Sequence, residues 1–365
     1  MVGGGPGSFI GGIHRIAAEL DGQMRLSAGV FSSDLARSRI AAAGYGVDPS
    51  RVYAGVEEMI AAERQREDGI RMLIIATPNH LHFSAAKTAL EGGIAVMSDK
   101  PATATLDEAK ELARIVGAAG GRYRLSYTYT GYPMVREARE RVARGDIGTV
   151  RKVIVEYLQG WLGEPIEREG NKQAGWRVDP AKAGLGGCIG DIGVHAFNLL
   201  EFVCGERVEE LCADLAAVVP GRTLDDDCTV LLRLANGARG ILAASQIATG
   251  ERNGLRLRVY GEKGALAWDQ EQPDRLCVSG ADCNMLTLFA GTGGLGASAV
   301  NACRLPSGHP EGYLEALANL YRDFWRELGG AGESLVPGII EGVRSMAFIE
   351  RAVNANRQGW AALHI

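Results

Sequence analysis

Long apolar runs are absent from this chain. None approaches the ~18–20 residues that a membrane-spanning helix requires, and the opening Met-Val-Gly-Gly-Gly-Pro-Gly lacks the basic region and apolar stretch of a secretory leader. Proline is scarce at 12 residues and no short period accompanies the glycines, which excludes collagen-like and low-complexity linker chains. There is no basic stripe: 39 Lys and Arg stand against 44 Asp and Glu, a formal charge of −5, so no nucleic-acid partner is expected. The seven cysteines, at 188, 204, 212, 228, 277, 283 and 303, form no Cys-x-x-Cys pair and are odd in number. They read as buried apolar thiols in a reducing compartment, with neither a disulfide framework nor a metal. The expectation is a soluble cytoplasmic protein.

What is abundant is glycine, 50 of 365 residues, about twice the ~7% average. The length predicts two domains at ~150 residues each. Residues 1–125 alternate short apolar runs with helical patterns: strands at Leu26–Phe31, Arg71–Ala76, Ile94–Met97 and Tyr123–Tyr127, helices at Leu35–Ala43, Glu57–Glu67, Phe83–Glu91 and Leu106–Ala118. That alternation implies a parallel sheet covered on both faces. After residue 128 the pattern changes. A helix at Met134–Arg144 leads into strand-like runs at Val150–Leu158, Val208–Val219, Cys228–Leu234, Arg239–Gln246, Leu255–Tyr260 and Ala265–Asp269, with Asn236-Gly237 as a hairpin signal. A helix from about Asp191 to Val203 interrupts them. Residues 280–310 read as irregular, and helices at Tyr313–Leu328 and Gly338–Asn356 close the chain. One strand is missing from this scheme. A dinucleotide-binding sheet has a ~5–6-residue strand running into its glycine turn, yet only Met1 and Val2 precede Gly3. The expectation is that the natural start lies upstream or that the chain is truncated.

Five segments carry chemistry. Gly3-Gly4-Gly5-Pro6-Gly7-Ser8-Phe9-Ile10-Gly11-Gly12-Ile13-His14 precedes a helical run. Its glycines permit a tight turn and close approach to a pyrophosphate, which then rests on the N–H groups of the helix start. Gly3 and Gly5 suit the first two turn positions, with Ser8, Phe9 and Ile10 at the helix entrance; the turn is wider than G-x-G-x-x-G, and a flexible loop is the plain alternative. At the end of the next strand, Ser32, Ser33 and Asp34 stand where an acidic side chain would grip a ribose 2′-hydroxyl, and Arg37 suits a 2′-phosphate. NAD and NADP both remain open, with Arg37 tilting towards NADP; a helix cap at Asp34 is the alternative. Thr77-Pro78-Asn79 with His82 ends one parallel strand, where ligands of such sheets bind, although Asn79 also suits a simple cap. Ser98-Asp99-Lys100-Pro101 ends the next, and a lysine there can stabilise a substrate alkoxide. Finally, Asp191, His195 and Asn198 share one face of a helix at i, i+4 and i+7. An imidazole is the natural proton shuttle near neutrality and a carboxylate can orient it; a structural histidine and a capping aspartate are the bland alternatives.

Taken in order, these segments resemble the Gfo/Idh/MocA oxidoreductases, the glucose–fructose oxidoreductase and inositol dehydrogenase family, over nearly the whole chain. The glycine loop, Thr77-Pro78-Asn79 with His82, and Asp99-Lys100-Pro101 (Asp for the family's Glu) resemble its N-terminal signature. Gly145-Asp146-Ile147-Gly148-Thr149-Val150 looks like its entry into the sheet domain, and Trp176-Arg177-Val178-Asp179-Pro180, Ala183-Gly184 and Asp191-x-x-x-His195 look like its substrate-side motif. The resemblance implies an α/β protein: a Rossmann domain over residues 1–127 binding NAD or NADP, then a substrate and oligomerisation domain over 128–365 with an open, mostly antiparallel sheet. The C-terminal helices, 313–356, would pack back towards the first domain. It implies Lys100, Asp191 and His195 as catalytic residues and Gly3, Gly5, Ser8–Ile10, Ser32, Ser33, Arg37, Thr77–Asn79, His82, Asp99 and Lys100 as cofactor contacts. Tyr129, Trp176, Arg177 and Asp179 are candidate pocket residues, with interface packing as their alternative role. The implied reaction moves a hydride between nicotinamide and a secondary alcohol or ketone of a sugar, glycoside or cyclitol, in a homodimer or homotetramer built through the C-terminal sheet. A cofactor-binding regulator without turnover, and a dihydrodiol dehydrogenase or imine reductase, are the rival readings. Asn198 in place of Asp, and Tyr127-Thr128-Tyr129-Thr130-Gly131-Tyr132-Pro133 in place of His-Asn-Tyr-Arg, depart from the family pattern.

Overall fold

The computed structural model describes residues 1–363. By its internal contacts the chain forms two compact units: Met1–Thr128 with Leu317–Val343, and Tyr129–Ala316 with the chain from Arg344 onward.

The first unit is built on four parallel strands in the order β1 (Val2–Gly3), β2 (Met72–Ala76), β3 (Ala95–Ser98) and β4 (Tyr123–Leu125). Leu73, Ile74, Ile75 and Ala76 are all buried, as are all four residues of β3. A strand without a polar face must be covered on both sides, and the helices do this. They are α1 (Ile10–Glu19), α2 (Leu35–Tyr45), α3 (Val56–Glu63), α4 (His82–Glu91) and α5 (Leu106–Ala118). Each fully buried Leu, Ile or Phe stabilises this core by about 1.5–3 kcal/mol. Thr105 opens α5 by accepting from the Glu108 N–H at 3.2 Å, so Thr-x-x-Glu starts the helix where the sequence predicts it.

Two expectations need correction here. The missing strand is present over two residues: Val2 and Gly3 pair with Ile75 and Ala76, and Val2 also bridges Val30. Leu26–Phe31 is not a ladder strand but extended chain joined at single bridges, Val30 to Val2 and Gly29 to Val52. With so short a β1 beside it, there is too little partner for a longer ladder. Leu317, Tyr321 and Phe324 join Phe31, Ile74 and Met97 in one apolar core, and the Leu125 N–H donates to the Pro337 carbonyl at 2.8 Å.

The second unit begins with α6 (Pro133–Arg144), carries the short helices α7 (Lys172–Arg177) and α8 (Pro180–Ala183), and contains a nine-stranded sheet. Its strands in chain order are β5 (Val150–Leu158), β6 (Val208–Ala216), β7 (Asp227–Leu234), β8 (Arg239–Ser245), β9 (Gly254–Gly261), β10 (Gly264–Asp269), β11 (Arg275–Gly280), β12 (Met285–Phe289) and β13 (Ala361–Ala362). The spatial order is β12-β11-β10-β9-β5-β8-β7-β6-β13. Every pairing is antiparallel except β5 with β8. Val153, Val155 and Tyr157 point inwards while their neighbours are less buried, the alternation of a sheet with one covered face. That face receives α9 (Val194–Cys204), in which Phe197 stacks on Phe348 with ring centroids 4.3 Å apart. Residues 280–310 are less irregular than predicted: β12 completes an edge hairpin and Ala297–Val300 forms one short helix. Among the described residues no helix is long and apolar enough to cross a membrane.

Candidate active site

In the first unit the glycine turn is shaped by backbone collisions that only glycine avoids. Gly3 has φ +85°, and a Cβ there would lie 2.2 Å from the Ala76 carbonyl oxygen. A Cβ on Gly5 would lie 2.6 Å from the Phe31 carbonyl oxygen, and one on Gly11 would lie 2.4 Å from the Gly4 Cα. Gly11 therefore sets how closely α1 approaches the turn, the third-glycine role of a dinucleotide fold. The Tyr45 hydroxyl donates to the Gly4 carbonyl at 2.6 Å and fastens the turn from α2; this contact, 41 residues away in sequence, left no local signal. Pro6, Gly7 and Phe9 are exposed at the helix entrance, and the Ser8 hydroxyl accepts from the Gly11 N–H at 3.4 Å. Tight turn, close helix and a helix start whose N-cap residue, Phe9, makes no side-chain cap together fit a bound pyrophosphate.

Asp34 is the N-cap of α2, accepting from the Arg37 N–H at 2.9 Å, and the Ser32 hydroxyl accepts from the Asp34 N–H at 3.2 Å; Ser33 and Arg37 are exposed. The Asp34 carboxylate is thus committed to its own helix. Asn79 is buried and opens a single 3-10 turn that leads into α4.

His82 and Asp99 make their hydrogen bonds to neighbouring turns. The His82 ring is fully buried, with Nδ1 2.8 Å from the Pro101 carbonyl and Nε2 2.9 Å from the Thr77 carbonyl. It staples together the two turns that end β2 and β3. Burial lowers its proton affinity, opposed by those carbonyls and by Asp99. Asp99 accepts from the Lys100 N–H and the Ser126 hydroxyl, each at 3.0 Å, and lies 3.9 Å from Nε2 of His14. Burial raises its carboxyl, but His14 and Lys100 outweigh that and hold it well below the usual carboxylate range. An ionised Asp99 therefore orders the Lys100 turn. His14 is in turn set by Tyr321, whose hydroxyl lies 2.7 Å from Nδ1. Lys100 itself is half-buried at the end of β3.

In the second unit, Asp191 lies in a π turn, Ile189–Gly193, that leads into α9. The predicted regular helix face is therefore corrected: the register widens beneath His195, so the i, i+4 relation of an α-helix does not hold there. Single π turns are frequent at functional sites. The Asp191 carboxylate accepts from Arg177 Nε at 2.8 Å and from Gln246 Nε2 at 2.9 Å. Arg177 lies over both Trp176, 4.3 Å from the ring centroid, and Trp161, 5.6 Å away. His195 is buried at the start of α9 with its ring edge-on to Tyr129, centroids 5.0 Å apart, and near Tyr157 at 6.2 Å. The Tyr129 and Tyr157 hydroxyls are hydrogen-bonded to each other. Tyr157 also donates to Asn253 Oδ1 at 2.8 Å, Gln159 donates to the same oxygen at 2.7 Å, and Trp161 donates to Gln159 Oε1 at 2.9 Å. Burial pushes both phenols far above their ordinary pKa, so they remain neutral donors.

The structure thus brings together Tyr129, Trp176, Arg177, Asp191 and His195. Asp179 turns elsewhere, capping the short helix Pro180–Ala183 and pairing with Lys182 at 2.7 Å. Tyr157, Gln159, Trp161, Gln246 and Asn253 were not predicted; they come from distant strands and loops, and no spacing announces them.

Comparison with known proteins completes the picture. Residues 1–127 match the family described as oxidoreductase family, NAD-binding Rossmann fold, and residues 135–267 match the GFO/IDH/MocA C-terminal domain. The uncharacterised oxidoreductase YfiI of Bacillus subtilis is 32% identical over 98% of this chain and 94% of its own. Levoglucosan dehydrogenase of Pseudarthrobacter phenanthrenivorans is 26% identical over 80% of this chain and 79% of its own. The crystal structure of an inositol dehydrogenase homologue from Azotobacter vinelandii, complexed with NAD+, superposes with a TM-score of 0.94 at 35% identity, covering 99% of this chain and 96% of that one.

Proposed function

The chain belongs to the Gfo/Idh/MocA oxidoreductases, and from that premise we propose that it oxidises a secondary hydroxyl of a sugar, glycoside or cyclitol, or reduces the matching ketone, with NAD(P). When bound, the nicotinamide would supply the hydride acceptor or donor. His195 removes the hydroxyl proton, Lys100 holds the reacting oxygen and stabilises its charge, and Asp191 orients His195 or binds an adjacent hydroxyl. Gly3, Gly5 and Ser8–Ile10 hold the pyrophosphate, with Thr77–Asn79 beside them, while His82 and Asp99 position the two turns. The observation that carries this reading is the shelf around His195, where aromatic faces alternate with the amide and carboxylate groups of Gln159, Asn253, Gln246 and Asp191. Such a surface suits the C–H faces and hydroxyls of a polyol better than a flat apolar diol or imine.

The test is a panel of polyols, glycosides and their ketones with both nucleotides, read by nicotinamide absorbance. Turnover with at least one polyol is expected; nucleotide binding without turnover on any of them sinks the reading and favours a sensor. Exposed Arg37 beside Ser32 and Ser33 favours NADP. Arg37→Ala should weaken NADP ~10–100-fold, the worth of a charged hydrogen bond of ~1.5–3 kcal/mol, and leave NAD unchanged. A wild-type preference for NAD would refute the assignment.

Arg177 acts through Asp191, as a positioning residue. Arg177→Met should lower kcat/KM ~10–100-fold, the scale of a misplaced polar group, and Arg177→Lys should rescue little, since ammonium reproduces neither the Nε bond nor the stacking. Full activity in Arg177→Met removes it from the site.

The sheet of the second unit leaves Met285, Leu286 and Phe289 of its edge strand exposed, with Leu231 and Tyr260 on β7 and β9. We assign these strands to contact with a second copy of the chain, in a homodimer or homotetramer. Light scattering coupled to size exclusion should give a multiple of the chain mass; a monomer at micromolar concentration would overturn this.

A further inference from the structure

Cys188 and Cys228 are 40 positions apart in sequence, yet both are buried and free, and their sulfurs lie with a carboxylate oxygen of Asp225 inside one cluster, all within 4.8 Å of one another. The junction is tightly built. Asp225 accepts from the Gly187 N–H through Oδ1 and from the Ile189 N–H through Oδ2, each at 2.7 Å, and its carbonyl accepts from the Cys188 N–H at 2.7 Å. A Cβ at Gly187 would lie 2.2 Å from that same carbonyl oxygen, so glycine alone lets the loop close on Asp225.

The charges in this junction do not balance. Neighbouring Asp226 is paired with Arg222, but among the described residues Asp225 has backbone N–H partners and no cationic one. A half-buried carboxylate with no cationic partner among the described residues, beside two buried thiols, is a donor set whose deficit a soft divalent cation would remove.

We propose that Cys188, Asp225 and Cys228 form a binding site for a thiophilic divalent cation, Zn2+, with water as the fourth ligand. Tetrahedral zinc, ~2.3 Å from sulfur and ~2.0–2.2 Å from oxygen, sets its ligands about 3.5–3.8 Å apart, which the cluster reaches with small rotamer shifts. Each carboxylate oxygen has a second lone pair beyond the one its N–H donor uses, so Asp225 can ligate without releasing the loop. Asp225 is only half-buried, which gives the ion a way in. Binding exchanges the two thiol protons for the ion, with both protons passing to solvent. The ion would tie Cys188, three residues before Asp191, to Cys228 at the start of β7.

The test needs no turnover and so stands apart from the oxidoreductase reading. The full chain, stripped with a chelator under a thiol reductant, is titrated with Zn2+ and, as a spectroscopic probe, with Co2+. One equivalent is expected, with a thiolate-to-cobalt charge-transfer band and visible bands of tetrahedral intensity. Cys188→Ser and Cys228→Ser should abolish the charge-transfer band or halve it, and Asp225→Asn should weaken binding ~10–100-fold or more. Should a variant fail to fold, native mass spectrometry of the unaltered chain decides, since a gain of one zinc less two protons supports the site. No uptake by the folded chain, uptake unchanged in all three variants, or a Cys188–Cys228 disulfide in the freshly reduced protein would each overturn it.

Discussion

His195→Asn should lower kcat by ~10²–10⁴ while leaving nucleotide affinity within about twofold of the unaltered enzyme. The loss is that of an acid–base group. Asparagine keeps a polar planar side chain at the start of α9, against Tyr129 and Tyr157, but has no lone-pair nitrogen to take a proton. The tyrosines cannot replace it: burial keeps them protonated, so they donate hydrogen bonds without accepting the hydroxyl proton. Steady-state rates alone would not separate a lost base from a disturbed shelf. The decisive measurement is the pH profile of kcat/KM, whose acid-side fall, produced when the base must be neutral, should vanish in the variant. Lys100→Met should cost a similar factor, and the double variant should cost less than the product, because both serve one proton and one oxygen. Activity equal to the unaltered enzyme in either single variant excludes that residue from the chemistry.

The fold and the proposed site were legible to different depths in the sequence, and the reasons are physical. Segments whose own residues decide their structure came through at their true bounds. Leu106–Ala118 carries a Thr cap and an apolar stripe, and Val150–Leu158 alternates inward and outward side chains. The run Met-Leu-Ile-Ile-Ala, closed by Thr77-Pro78, is apolar on both faces and so belongs inside a parallel sheet. Features set by distant partners did not come through. The parallel pairing of β5 with β8 joins residues about 87 apart in sequence, such as Lys152 with Arg239. The edge strand Met285–Phe289 has exposed residues on both faces, so no burial pattern marks it.

The site divides along the same line. Lys100, Asp191 and His195 stand in local motifs, whereas Tyr157, Asn253 and Gln246 are ordinary strand and loop residues until the sheet brings them together. The π turn at Ile189–Gly193 was missed because spacing arguments assume 3.6 residues per turn throughout. His82 and Asp99 also stand in a local motif, but their partners, the carbonyls and N–H groups of the turns themselves, are visible only once β2 and β3 are side by side.

The glycine turn supports the other large prediction, which separates backbone strain from collision. Gly3→Ala should abolish nucleotide binding and lower Tm markedly. It combines a left-handed backbone, ~1–2 kcal/mol for an L-residue, with a Cβ 2.2 Å from the backbone oxygen of Ala76, which no rotamer can relieve. Gly11→Ala tests the collision alone, because Gly11 lies in α1 without a positive φ, and its Cβ would meet the Gly4 Cα at 2.4 Å. Overpacking of this kind typically costs ~1–3 kcal/mol, and here it would push α1 away from the turn, so affinity should fall ~10–100-fold even in protein that remains folded. Gly7→Ala tests strain alone: φ is +83° but nothing lies within 4 Å, so stability should fall by no more than ~1–2 kcal/mol. Gly12→Ala has neither burden and sits inside the helix, where alanine is favoured by ~0.5–1 kcal/mol. Tm and nucleotide affinity measured across the four variants should therefore rank Gly12, Gly7, Gly11, Gly3 from mildest to most severe. Equal losses at Gly11 and Gly12 would mean that helix α1 does not need its close approach to the turn, and the pyrophosphate assignment would fall with it.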